Sequence, residues 1–114
     1  MNVFFDVQGT LISAGQGRPG VREIFEDLTG AGHDLYIWSS AGDGYARRAA
    51  EALGVEDLIL GCYAKDPDPP VSVDFTVDDQ PGLSGRHGGI TISPFAGDPD
   101  DAELRSVANQ ILNG

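Results

Sequence analysis

The sequence predicts an α/β fold: a mostly parallel sheet of five strands with helices on both faces. Three observations predict it. Short runs of β-branched and aromatic residues alternate with segments whose apolar residues recur at helical spacing. Glycine and proline punctuate the junctions. The order strand, helix, strand, helix, strand is that of parallel crossover units rather than of hairpins.

Val3, Phe4 and Phe5 make the first strand, which stops at Asp6. Residues 19–29 read as a helix, with Pro19 at its first position, Val21, Ile24, Phe25 and Leu28 on one stripe, and Gly30 and Gly32 ending it. "DLYIWSS" (34–40) is the second strand. Residues 43–53 form the second helix: Ala46, Ala49, Ala50 and Leu53 face inward, Gly54 stops it, and Ser40 with Asp43 has the spacing of a capping box. "LILGCY" (58–63) gives a third strand, followed by a rigid acidic loop, "DPDPP" (66–70). A fourth strand lies within 71–79 and a fifth, at an edge, within 88–94. The closing helix starts near Asp98-Pro99, carries Asp100 and Asp101 in its first turn, and buries Leu104, Val107, Ala108, Ile111 and Leu112. Assembled, these elements make a Rossmann-like three-layer sandwich, and residues 1–114 suit one domain.

Net charge bounds the function. The chain carries 18 acidic and 7 basic residues, a balance of −11. Non-specific binding to nucleic acid or to an anionic membrane needs a basic face, so neither partner is expected. A phosphorylated substrate stays compatible, because a bound cation inverts the local field. No apolar run approaches the ~20 residues of a membrane span, and no signal peptide is read at the N-terminus. Cys62 is the one cysteine, which rules out an intrachain disulfide and a cysteine metal cage; a reducing, cytoplasmic setting is the expectation.

In parallel sheets the ligand site lies beyond the carboxyl ends of the strands. The residues there are Asp6, Ser39 with Ser40, and Asp78 with Asp79, and Lys65 follows the third strand closely. Clustered carboxylates repel unless a cation or a lysine sits among them. Oxygen-only ligands favour Mg²⁺ over zinc or copper. The Ser39 hydroxyl and the amides opening the second helix would hold a phosphate oxygen, Lys65 would neutralise another, and Asp6 would be left to attack phosphorus. Ser39 and Ser40 also read as helix caps, a role compatible with phosphate contact. Lys65 is the only lysine in the chain.

These residues resemble a family. Asp6-Val7-Gln8-Gly9-Thr10-Leu11 is similar to the first motif of the haloacid dehalogenase superfamily, a nucleophile followed by x-D-G-T-L. Ser39, Lys65 and Val77-Asp78-Asp79 follow in the order of its second, third and fourth motifs. The resemblance implies that Asp6 is the nucleophile, that Mg²⁺ binds Asp6, the Gln8 main-chain carbonyl and Asp78, that Asp79 either binds through water or orients Lys65, and that Ser39 contacts the transferring phosphoryl group. It implies a Mg²⁺-dependent phosphatase working through an aspartyl phosphate.

Two features depart from the family's commoner pattern. Gln8 stands where its phosphatases usually have the Asp that protonates the leaving group and activates water, and an amide exchanges no proton near neutral pH. Slow turnover is the expectation. The segments between motifs are too short for a cap domain, which resembles the capless members with open sites and bulky or macromolecular phosphorylated substrates. One alternative is a weakened relative that binds phosphate or a protein; a dehalogenase ranks last, because that chemistry needs a closed, dry pocket.

Overall fold

The apolar N-terminal run becomes β1 (Asn2–Asp6), and its place in the sheet explains why Val3, Phe4 and Phe5 are all buried. β1 pairs in parallel with β4 (Asp34–Ser39) on one side and with β6 (Phe75–Asp78) on the other. β5 (Gly61–Ala64) joins outside β4 and β7 (Gly89–Thr91) outside β6, giving the order β5-β4-β1-β6-β7. All four pairings are parallel, so the sheet is wholly rather than mostly parallel. This computed structural model describes residues 1–81 and 87–114.

Three helices lie wholly within the described residues: α1 (Val21–Gly30), α2 (Asp43–Leu53) and α3 (Glu103–Asn113). Pro19 falls just outside α1, because Gly20 takes a left-handed conformation (φ 80°) at the N-cap. α2 has the expected bounds but not the expected cap. Gly42 occupies the N-cap position and no side chain caps it, so Ser40 and Asp43 form no capping box. α3 begins later than the sequence suggests. Residues 98–101 form a turn closed by Asp101 N–H to Asp98 O (3.1 Å), and the Asp101 carboxylate then accepts the Glu103 amide at 3.0 Å. Leu112 is 37% exposed rather than buried, off the stripe of Leu104, Val107, Ala108 and Ile111.

β5 also starts late. The apolar "LIL" run tempts a strand reading, but Leu58 N–H turns back to Val55 O (2.9 Å), and Leu58 and Ile59 pack against the core from a turn. A small antiparallel hairpin, β2 (Ile12–Ser13) with β3 (Gln16–Gly17), is an element the sequence reading lacks. Ala14 (φ 51°) and Gly15 (φ 78°) both sit in the left-handed region at its tip, as a two-residue hairpin loop requires. Between β1 and β4 the chain holds only this hairpin and α1.

The buried residues of α1, α2 and α3 join Val3, Phe5, Leu35, Ile37 and Val77 in one cluster, so these three helices cover one face. The opposite face carries Phe4, Tyr36 and Trp38, packed against Tyr63, Val71 and Val73, with the His87 ring 6.2 Å from Trp38; Phe4 and Tyr36 stack at 4.7 Å. The cause is topological. From β1 to β4 to β5 the chain steps the same way across the sheet, and right-handed crossovers then put α1 and α2 on the same side. α3 packs beside α1, where Arg105 pairs with Asp27 at 2.8 Å. Among the described residues no helix is long and apolar enough to cross a membrane.

Phe25 is fully buried in the helical face, in contact with the Phe5 ring at 4.7 Å. Phe25→Ala should lower stability by about 3–5 kcal/mol, whereas Leu112→Ala should change it by no more than about 0.5 kcal/mol. Urea denaturation of the two variants checks both.

Candidate functional site

Sheet order brings the site together. The connection leaving β1 runs toward β4 and that leaving β6 runs toward β7, so the switch point of the sheet, the place where parallel sheets bind ligands, lies between the carboxyl ends of β1 and β6. Asp6 and Asp78 stand there, each one residue past the Phe5–Val77 register pair. Both are buried, Asp6 at 7% exposure and Asp78 at 0%.

Two buried carboxylates this close need a cation, and Lys65 supplies it from two strands away. Its backbone N–H donates to Ser39 O at 3.1 Å, continuing the β4–β5 ladder by one residue. Its ammonium then spans β4 to reach Asp6 Oδ1 at 2.9 Å and Asp78 Oδ2 at 2.7 Å. The other oxygens are held as well. The Thr10 hydroxyl donates to Asp6 Oδ2 at 3.4 Å and the Gln80 amide to Asp78 Oδ1 at 2.9 Å. Asp79 completes the group: carboxylate oxygens of Asp6, Asp78 and Asp79 all lie within 4.8 Å of one another. The loop after β1 accommodates Asp79 because residue 9 is glycine. Gly9 has φ 84°, and a Cβ there would fall on the Asp79 carboxylate.

One ammonium among three carboxylates leaves the cluster short of positive charge. Burial pushes the Asp6 carboxyl up to about 7; Lys65 opposes this, and Asp78 and Asp79 add to it. For Lys65 burial works against the ammonium, but its hydrogen bonds and charge pairing with Asp78 and Asp6 outweigh that and raise its pKa. An all-oxygen, under-neutralised group of this kind is suited to a hard divalent cation. The structure therefore brings together Asp6, Lys65, Asp78 and Asp79 from distant parts of the chain.

The other expected residues stand around this group. Ser39 ends β4, is buried, and accepts the Ala41 amide on its Oγ at 3.0 Å, which leaves its hydroxyl proton as a donor. Ser40 is exposed. The Gln8 side chain is exposed too, and its Oε1 accepts the Tyr45 hydroxyl at 3.2 Å. Tyr45 and Thr10 are contributions that the sequence reading missed. Thr10 had a signal, since a short turn after Asp6 brings a hydroxyl four residues on back to the carboxylate. Tyr45 had a weaker one, its place in the first turn of α2 on the same rim.

Comparison of the chain with protein-family models, with curated proteins and with solved structures finds no match in any of the three.

Two outcomes follow from the geometry. Between about pH 4 and about pH 7 the folded protein holds a proton on Asp6 that the unfolded chain releases, so this group makes metal-free stability fall as pH rises through that window and adds no slope above it. Asp6→Asn should remove that slope and raise the melting temperature more at pH 8 than at pH 5. Gly9→Ala and Gly15→Ala both force alanine to positive φ, a strain of about 1–2 kcal/mol. Only the first also meets a carboxylate, whereas Gly15 faces open space. Gly9→Ala should lower the urea midpoint well beyond Gly15→Ala.

Proposed function

We propose that this protein is a Mg²⁺-dependent phosphohydrolase of the haloacid dehalogenase type, without a cap domain, that works through an aspartyl phosphate on Asp6. The observation that carries the reading is the convergence of Asp6, Asp78 and Asp79 at the carboxyl ends of two adjacent parallel strands, with Lys65 paired to the first two. The donor set fits the cation: hard oxygens, short of positive charge, at the switch point of the sheet. Asp6, Asp78 and the Gln8 main-chain carbonyl would hold Mg²⁺, with Asp79 bound through water or set against Lys65. Bound there, the ion supplies charge neutralisation for phosphoryl oxygens and favours the ionised form of Asp6.

Lys65 and Thr10 fix the orientation of the Asp6 carboxylate. An Asp6 oxygen attacks phosphorus and the bond to the leaving oxygen breaks. The Ser39 hydroxyl and the first amides of α2 receive phosphoryl oxygens, with Ser40 beside them on the rim. Water then attacks the acyl phosphate, releasing inorganic phosphate and restoring the carboxylate. Gln8 moves no proton in either half. With its amide oxygen engaged by Tyr45, its NH₂ group is the part that faces the substrate. The short segment between β1 and β4 leaves the rim open, which supports bulky or macromolecular phosphorylated substrates.

The Gln8–Tyr45 bond also favours a second reading, a phosphate- or protein-binding module with little turnover. Hydrolysis of nitrophenyl phosphate separates the two. The leaving group there departs without protonation, so the phosphatase should give a Mg²⁺-dependent burst, a slow steady state and a trapped phosphoenzyme. General acid–base help is worth about 10²–10⁴-fold. Gln8→Asp should thus speed turnover at least about tenfold and Asp6→Asn abolish it. A wild-type protein that forms no phosphoenzyme and releases no phosphate sinks the phosphatase reading in favour of the binding module.

A further inference from the structure

Arg18 lies behind this site, and the proposed chemistry does not use it. Its side chain is completely buried. On one side its fork grips Asp101, Nε to Oδ1 at 3.2 Å and Nη2 to Oδ2 at 3.1 Å, with Glu103 at 3.9 Å and the Phe95 ring 5.6 Å from the guanidinium carbon. On the other side Nη1 donates to Thr10 O at 3.3 Å and to Gly9 O at 3.5 Å.

A buried ion pair is weak support for stability, because desolvating the charges offsets much of their attraction. What a guanidinium adds over an apolar side chain is directed donors, and here they point at the loop that carries the site. In that loop a single carbonyl, Val7 O, accepts the amides of Thr10, Leu11 and Ile12. The Gly9 and Thr10 carbonyls are left for Arg18, with the Phe95 amide also on Gly9 O at 2.8 Å. The other side of the same two residues faces the carboxylates: Gly9 lies against Asp79 and the Thr10 hydroxyl reaches Asp6. The backbone at Gly9 and Thr10 is thus held from behind by Arg18 through both carbonyls and meets the acidic cluster in front.

We propose that Arg18 is a positioning residue, which acts through Gly9 and Thr10 to set Asp79 and Asp6 at the spacing a divalent cation requires. Asp101 and Glu103 hold the guanidinium at that angle, so the start of α3 is tied to the site from 83 residues away in sequence. This rests on the reading of the carboxylate cluster as a cation site.

Calorimetric titration with Mg²⁺ at fixed pH, paired with urea denaturation, tests the proposal on four proteins: wild type, Arg18→Lys, Arg18→Met and Ile111→Ala. Lysine keeps a cation against Asp101 but has no fork to hold both Asp101 and the two carbonyls. Ile111 is a buried α3 residue outside the machinery and serves as a stability control. Arg18→Lys should fold and bind Mg²⁺ about 10–100-fold more weakly, the usual effect of losing an outer-shell partner. Arg18→Met should bind no better, and Ile111→Ala should lose stability while keeping wild-type Mg²⁺ affinity. If Arg18→Met fails to fold, Arg18→Lys alone decides. Wild-type Mg²⁺ affinity in Arg18→Lys overturns the positioning role and leaves the cation site standing. Equal weakening in Ile111→Ala overturns it as well, since general loosening would then be the cause. A wild-type protein that takes up no Mg²⁺ overturns the cation site itself, and this proposal with it.

Discussion

One ammonium shared by two buried carboxylates is the interaction on which the rest of this structure turns. Asp6 and Asp78 end adjacent parallel strands, both out of water, and without Lys65 their repulsion would be severe in so low a dielectric. Lys65 reaches them only because β5 is registered on β4 so that its ladder runs on past Ala64. The burial of the two carboxylates, the sheet order and the length of β5 therefore answer to a single charge. Burial raises the Asp6 carboxyl to about 7 even with Lys65 beside it.

A second constraint is the two-sided burial of β1. One face meets an apolar layer to which α1, α2 and α3 contribute; the other meets an aromatic layer of Phe4, Tyr36 and Trp38. The alternation along β4 shows the same division, Leu35 and Ile37 facing the helices and Tyr36 and Trp38 facing away. Stacked rings fill that second layer, with Val71 and Val73 packed against them. Rigid packing on both sides holds the end of β1, and so Asp6, in a fixed position.

Around that fixed end the loops are specialised. Gly9 removes a side chain so that a carboxylate can approach, Thr10 turns its hydroxyl inward, and Arg18 ties the carbonyls of both residues to the start of α3. Gln8 points the other way, toward solvent and Tyr45. The loop thus has an inner side concerned with charge and an outer side exposed to solvent.

The sequence by itself determined what neighbouring residues can encode. The apolar stripes of α1 and α2, the strand character of "VFF" and "DLYIW", and the acidic strand ends at Asp6 and Asp78 are all local patterns, and each is found where periodicity puts it. Lys65 was legible by its rarity. Tertiary structure alone decided what depends on partners far along the chain. The "LIL" run is apolar enough for a strand, but Leu58 and Ile59 are used against the core from a turn, and the first bond to β4 is made by the Leu60 N–H to Leu35 O at 2.8 Å, just before the register that starts at Gly61. The start of α3 slipped because Asp101 is drawn to Arg18 and closes a turn there instead of entering the helix. The side on which each helix packs was invisible, because it follows from the order of strands in the sheet and the right hand of their crossovers. Arg18 carried no signal of its own. Its burial becomes favourable only when Asp101 and the Gly9 and Thr10 carbonyls are already in place, and nothing near it in sequence announces them.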